Sequence, residues 1–193
     1  MKTLFISILL AVSGFACFAD DTNQVFTGNW SDTINGLRMR FIVSSKQERA
    51  DFRRAVVYLE MQNVANVINP IEFPSGFSLN CKVTNSVGNL PPPAMSFGSG
   101  PVCPPYWIYI PCDSTLKMRV DDMSSWSVGL KGQTGVSMAV GSGWWLVPDN
   151  NTNNEYFLTG VFKVDWKPQP EEHIHAWNGT IQLPRVKLNF KSN

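Results

Sequence analysis

The sequence predicts an all-β protein: a sandwich of two antiparallel sheets with a long Pro/Gly-rich central insertion. Apolar residues recur with a period of two in one segment after another, and turn-forming residues separate those segments at short intervals. A weak helical period shows only around SSKQERADFRR, where a single turn is expected. Short alternating strands bounded by Gly, Pro and Asn are the pattern of a sandwich.

Residues 1–19, MKTLFISILLAVSGFACFA, have the build of a secretory signal peptide. Lys2 gives the positive start, Leu4 to Val12 the apolar stretch, and Cys17 and Ala19 the small residues before a cleavage site. The stretch is shorter than the about 20 apolar residues that span a bilayer, and no later segment is longer, so no transmembrane segment is expected. Gly14 and Phe15 depart from the Leu-Ala-Gly-Cys pattern of an acylation site. Plain export is therefore expected over a lipoprotein anchored through Cys17.

The strands follow in order. Leu37, Met39, Phe41 and Val43 alternate with Arg38, Arg40, Ile42 and Ser44, and Val57, Leu59 and Met61 share one face of the next run. Phe77, Leu79, Cys81 and Val83 form a third alternating set, and Leu116, Met118 and Val120 a fourth. Residues 157–164 and 186–190 repeat the pattern near the end. Asn35-Gly36, Pro74-Ser75-Gly76, Gly88-Asn89 and Pro148 to Asn154 supply turns between them. Residues 90–107, LPPPAMSFGSGPVCPPYW, carry six prolines, which lack the N–H a central strand needs, so this is read as a packed connection.

Removal of residues 1–19 takes away Lys2 alone among charges, lowering the formal charge from +1 to 0. That argues against a general electrostatic grip on nucleic acid or anionic membrane, which needs clustered basic charge. The 174 residues left of 193 suffice for one domain, residues 20–193. They hold three cysteines, Cys81, Cys103 and Cys112. A Tyr106–Ile110 strand, roughly 17 Å long, would keep Cys103 and Cys112 beyond the about 7 Å of a disulfide. Cys81 is left to pair with Cys103 or Cys112, or to stand as a buried thiol.

Three motifs occur in one order: NWSDTINGLRMRF, VVYLEMQNVAN and YFLTGVFKVDW…AWNGTIQLPRVKLNF. Through Trp30, Gly36, Leu37, Leu59, Asn63, Val64, Trp177, Gly179, Ile181, Pro184, Val186 and Leu188 the chain resembles an immunoglobulin-like domain of secreted bacterial proteins of largely unassigned function. It is more loosely similar to the sandwich of a bacterial intracellular proteinase-inhibitor family. The resemblance implies an immunoglobulin-like sandwich and brings no catalytic residues. The stretch from about Ser86 to Val140 departs from the pattern.

Few residues point to chemistry. His173 and His175, the two histidines of the chain, lie on one side of an extended segment with Glu171, and imidazoles at i and i+2 can share a zinc or copper ion. Otherwise no cofactor is expected. Of the neighbours Trp144 and Trp145, one should face the core and the other solvent, where Tyr106, Trp107 or Trp126 could join it as a platform for sugar or an apolar partner. G-x-S-x-G, calcium-loop acids and zinc-type cysteine spacings are absent. A hydrolase whose groups meet only in space is the catalytic alternative. The expectation is an exported, non-catalytic binding or structural-accessory module of the periplasm or cell exterior. It would recognise a protein or surface partner through loops at one end, residues 90–107 and 121–145. A small metal-binding protein and a carbohydrate-binding module are the alternatives.

Overall fold

A computed structural model describes residues 24–49, 52–65, 70–89, 95–96, 106–120, 135–140, 143–148, 155–167 and 176–190, with backbone alone for 47–49, 52 and 95–96. These residues hold twelve strands and no helix: β1 (Val25–Thr27), β2 (Leu37–Arg49), β3 (Phe52–Asn63), β4 (Ile71–Pro74), β5 (Ser78–Asn85), β6 (Met95–Ser96), β7 (Trp107–Ile110), β8 (Thr115–Arg119), β9 (Val136–Val140), β10 (Gly143–Val147), β11 (Tyr156–Val164) and β12 (Gly179–Leu188). No described helix is long and apolar enough to cross a membrane.

The strands form three hydrogen-bonded sheets rather than two. Seven run in the order β1-β2-β3-β9-β10-β6 with β8 also on β3, three in the order β12-β11-β5, and β4 pairs with β7. The extra complexity of the large sheet comes from the length of β3. Its second half pairs antiparallel with β8 (Tyr58↔Arg119 to Gln62↔Thr115), while its first half pairs parallel with β9 (Arg53↔Val136 to Ala55↔Met138). Among the described residues of SSKQERADFRR no helical turn occurs. Lys46 pairs with Arg54 and Arg49 with Phe52, so a β-hairpin ladder overrides the helix preference of Lys, Gln, Glu and Arg.

Alternation builds the core. Leu37, Met39, Phe41 and Val43 of β2 and Ala55, Val57, Leu59 and Met61 of β3 are fully buried. They share one core cluster with Leu158 and Phe162 of β11 and Ile181, Leu183, Val186 and Leu188 of β12. The sheets thus meet through their apolar faces, as in a β-sandwich. In β12 the inward residues change phase between Leu183 and Val186. The ladder slips there by one residue, from Gly160↔Leu183 to Leu158↔Val186. This bulge at Pro184-Arg185 accommodates the proline, which has no N–H to donate, and keeps Val186 and Leu188 inside. Opposite it, a Cβ on Gly160 would come within 2.8 Å of the Phe41 ring, so the glycine makes room for that ring.

Candidate partner-binding surface

The Asn35-Gly36 turn is the start of the scaffold beneath the candidate surface. Both residues have positive φ, 48° and 80°, the geometry of a type I′ hairpin turn, and Ile34 and Leu37 exchange backbone hydrogen bonds across it. Trp177 docks on this turn. Its Nε1 donates to Ile34 O at 3.1 Å, and its backbone N–H donates to Glu72 O at 2.7 Å. The Trp177 ring packs against Phe73 and Phe162, with centroids 6.3 and 6.0 Å away. Asn178 completes the corner: its carbonyl accepts from Asn35 Nδ2 at 3.1 Å, and its Oδ1 accepts from Trp166 N at 2.7 Å.

Asn63 braces the other end of β7. It is fully buried, donating through Nδ2 to Ile110 O at 3.0 Å and accepting at Oδ1 from Ala65 N at 3.0 Å. A buried amide bonded at both ends costs little, whereas a hydrophobe there would leave two backbone groups unpaired. The sequence motifs therefore meet in space: the first turn, the Asn63 strand end and the Trp177 corner together hold β4 and β7.

On that scaffold β7 turns Ile108 and Ile110 inward and Trp107 and Tyr109 outward. Tyr109 is 52% exposed and Tyr106, just before the strand, 58%. Ser75 holds Tyr106 in place, its N–H donating to Tyr106 O at 2.8 Å while its Oγ accepts from Tyr106 N at 3.0 Å. Trp107 is half-buried and meets Trp166 edge-on, with centroids 5.5 Å apart and planes at 85°. The indole N–H of Trp166 is buried with no hydrogen-bond partner among the described residues. The arrangement offers aromatic area and two phenol hydroxyls, which are groups that anchor protein interfaces.

Of the residues expected at a site, Tyr106 and Trp107 fall on this surface. The expectation that Trp144 or Trp145 faces solvent is corrected, because the two are 1% and 4% exposed. β9 and β10 lie inside the large sheet and are buried on both faces. Trp145 joins the core with Met138 and Val147, its ring lying over Gly143, where a Cβ would come within 2.1 Å of it. Trp144 points to the opposite face and donates its indole N–H to Ser137 Oγ at 2.8 Å, which satisfies the buried donor. Trp126, Glu171, His173 and His175 lie outside the described residues. Among the described residues no group of three or more His, Cys, Asp or Glu is placed to hold a metal ion.

Tyr109 and Trp166 were not singled out from sequence. The alternation of WIYI, with its two isoleucines inward, carried the signal for Tyr109. For Trp166 no local signal exists, since its partner Trp107 is far away in the chain. Cys81 and Cys112 are free thiols, and Cys103 lies outside the described residues. Cys81 packs against the core from β5, and burial pushes its pKa up to about 12, leaving a thiol with little nucleophilic character. No protein-family model, no curated protein and no solved structure matches the chain.

Proposed function

We propose that the chain is an exported, non-catalytic binding or structural-accessory module, built on an immunoglobulin-like sandwich, that recognises a protein or surface partner at one end. The observation that carries this reading is the outward side of β7. Among the described residues the exposed large hydrophobic side chains are Val25, Val87, Tyr106 and Tyr109; Tyr109 shares the outward side of β7 with Trp107, and Tyr106 immediately precedes it in the chain. Tyrosine and tryptophan bury large area at small entropic cost and are enriched at interfaces. Their backbone is held by Ser75 at Tyr106 and by Asn63 at Ile110, so the surface is pre-organised.

The test is a photo-crosslinking residue introduced at position 109, in cells that export the chain. A discrete adduct, absent when the same group replaces Lys82 on β5, is expected. Failure of position 109 to give any adduct that position 82 does not give would count against the surface. Export itself is checked by N-terminal sequencing of the processed chain, which should begin at Asp20.

A further inference from the structure

A formal charge of +1 conceals an uneven distribution. The inward residues of β2, β3 and β8 belong to the core or pack on it, so the alternate residues form the opposite face of the large sheet. That face carries Arg38, Arg40, Lys46, Lys117 and Arg119, together with Arg54, which is buried at 8% exposure. Among the strand residues of this face whose side chains are described, Glu60 is the carboxylate; Glu48 takes the next alternate position after Lys46, at the register slip near the end of β2.

The ladders order these groups into columns. Arg38 lies beside Gln62 and Gln62 beside Thr115; Arg40 lies beside Glu60 and Glu60 beside Lys117; Ile42 lies beside Tyr58 and Tyr58 beside Arg119. Cations on β2 and on β8 thus flank a middle column of Gln62, Glu60 and Tyr58, with the two cationic columns roughly 10 Å apart at two strand spacings.

The cations are held in position. Arg38 donates from Nε and Nη2 to Gln62 Oε1 at 2.9 and 2.7 Å, and its guanidinium lies 4.8 Å from the centre of the Trp30 ring. Arg40 pairs with Glu60 and lies 4.3 Å from the same ring, while Lys117 Nζ lies 4.3 Å from the centre of Tyr58. These contacts use only part of the five N–H donors of each guanidinium, and they lower the ordering cost of a further anion. A partner carrying anions alone would meet Glu60 at the centre of the face. A partner with hydroxyls as well gives Glu60 and Gln62 hydrogen-bonding groups, while the flanking columns take its acids.

We propose that this face binds an acidic polysaccharide, a uronic-acid chain lying along the strands between the two cationic columns. The proposal is independent of the aromatic side of β7. It is tested by titrating the purified full chain with polygalacturonate, with dextran, polyglutamate and anionic phospholipid vesicles in parallel, at low and physiological salt. Polygalacturonate should bind and dextran should not, and salt should weaken binding because the contacts are exposed. Arg38→Gln/Lys117→Gln should weaken it about tenfold, the effect of two exposed charge contacts together. Lys82→Gln, on the other sheet, should leave it unchanged. Lys117→Gln alone, on an exposed edge side chain, should weaken binding a few-fold and keeps the test open if Arg38→Gln disturbs folding. The proposal is overturned if polygalacturonate does not bind or if both charge variants bind it undiminished. Binding of polyglutamate or vesicles as tightly as polygalacturonate would also overturn it, reassigning the face to an acidic protein or a membrane.

Discussion

The corner around Trp177 and the outward side of β7 are joined through Trp166 and Trp107, yet they put similar residues to different uses. In the corner an indole N–H, a backbone N–H and an asparagine side chain all find partners in the turn at Asn35-Gly36, in β4 and at Trp166. At β7, Tyr109 and the preceding Tyr106 are more than half exposed, and the indole N–H of the neighbouring Trp166 lacks a partner among the described residues. The contrast separates identity from activity. Trp177, Asn63 and the Asn35-Gly36 turn, all within the three sequence motifs, serve packing, whereas the exposed Tyr106 and Tyr109 lie outside those motifs.

Breaking the corner should have the largest effect. Trp177→Ala removes a ring that is 5% exposed together with its bond to Ile34, and should lower stability by about 3–5 kcal/mol, read as a fall in the urea midpoint. Asn63→Leu leaves the Ile110 carbonyl and Ala65 N–H without their present partner. It should cost about 1–3 kcal/mol by the same measurement.

Cys81 sharpens the comparison from the core side. Its folded pKa of about 12 exceeds the ordinary value of 9.0, so the neutral thiol is favoured in the folded state. Stability from this group is intact below pH 9 and is lost as pH rises from about 9 towards 12, at up to about 1.4 kcal/mol per pH unit. Urea unfolding at pH 8 and pH 10 should show that alkaline loss, and Cys81→Ala should reduce it. The smallest stability effect belongs to the outward side of β7. Tyr109→Ser should stay within about 0.5 kcal/mol of the parent, because its ring is largely in water.

Much of the strand pattern was legible because burial imposes it locally. The alternation in GLRMRFIV and RRAVVYLEM appears as the inward faces of β2 and β3, and Asn35-Gly36 is the turn its composition demands. The phase change between Leu183 and Val186 can also be read from the chain, with Pro184 marking the bulge. What a strand lies beside was not legible. Both faces of β10 are buried, which its own residues do not announce, so neither Trp144 nor Trp145 reaches solvent. For the same reason, the basic face was hidden. Arg38, Arg40, Lys117 and Arg119 each alternate visibly, but only the pairing of β3 with both β2 and β8 sets them on one surface.

The central claim is that the outward side of β7 serves a partner while the corner serves the fold. Its most direct measurement combines Tyr106→Ser and Tyr109→Ser in one chain, following both the thermal midpoint and the partner captured by a crosslinking group introduced at position 107 in the parent and in the double variant alike. The account predicts an unchanged midpoint with loss of the captured partner. Full capture by the double variant at an unchanged midpoint would contradict it.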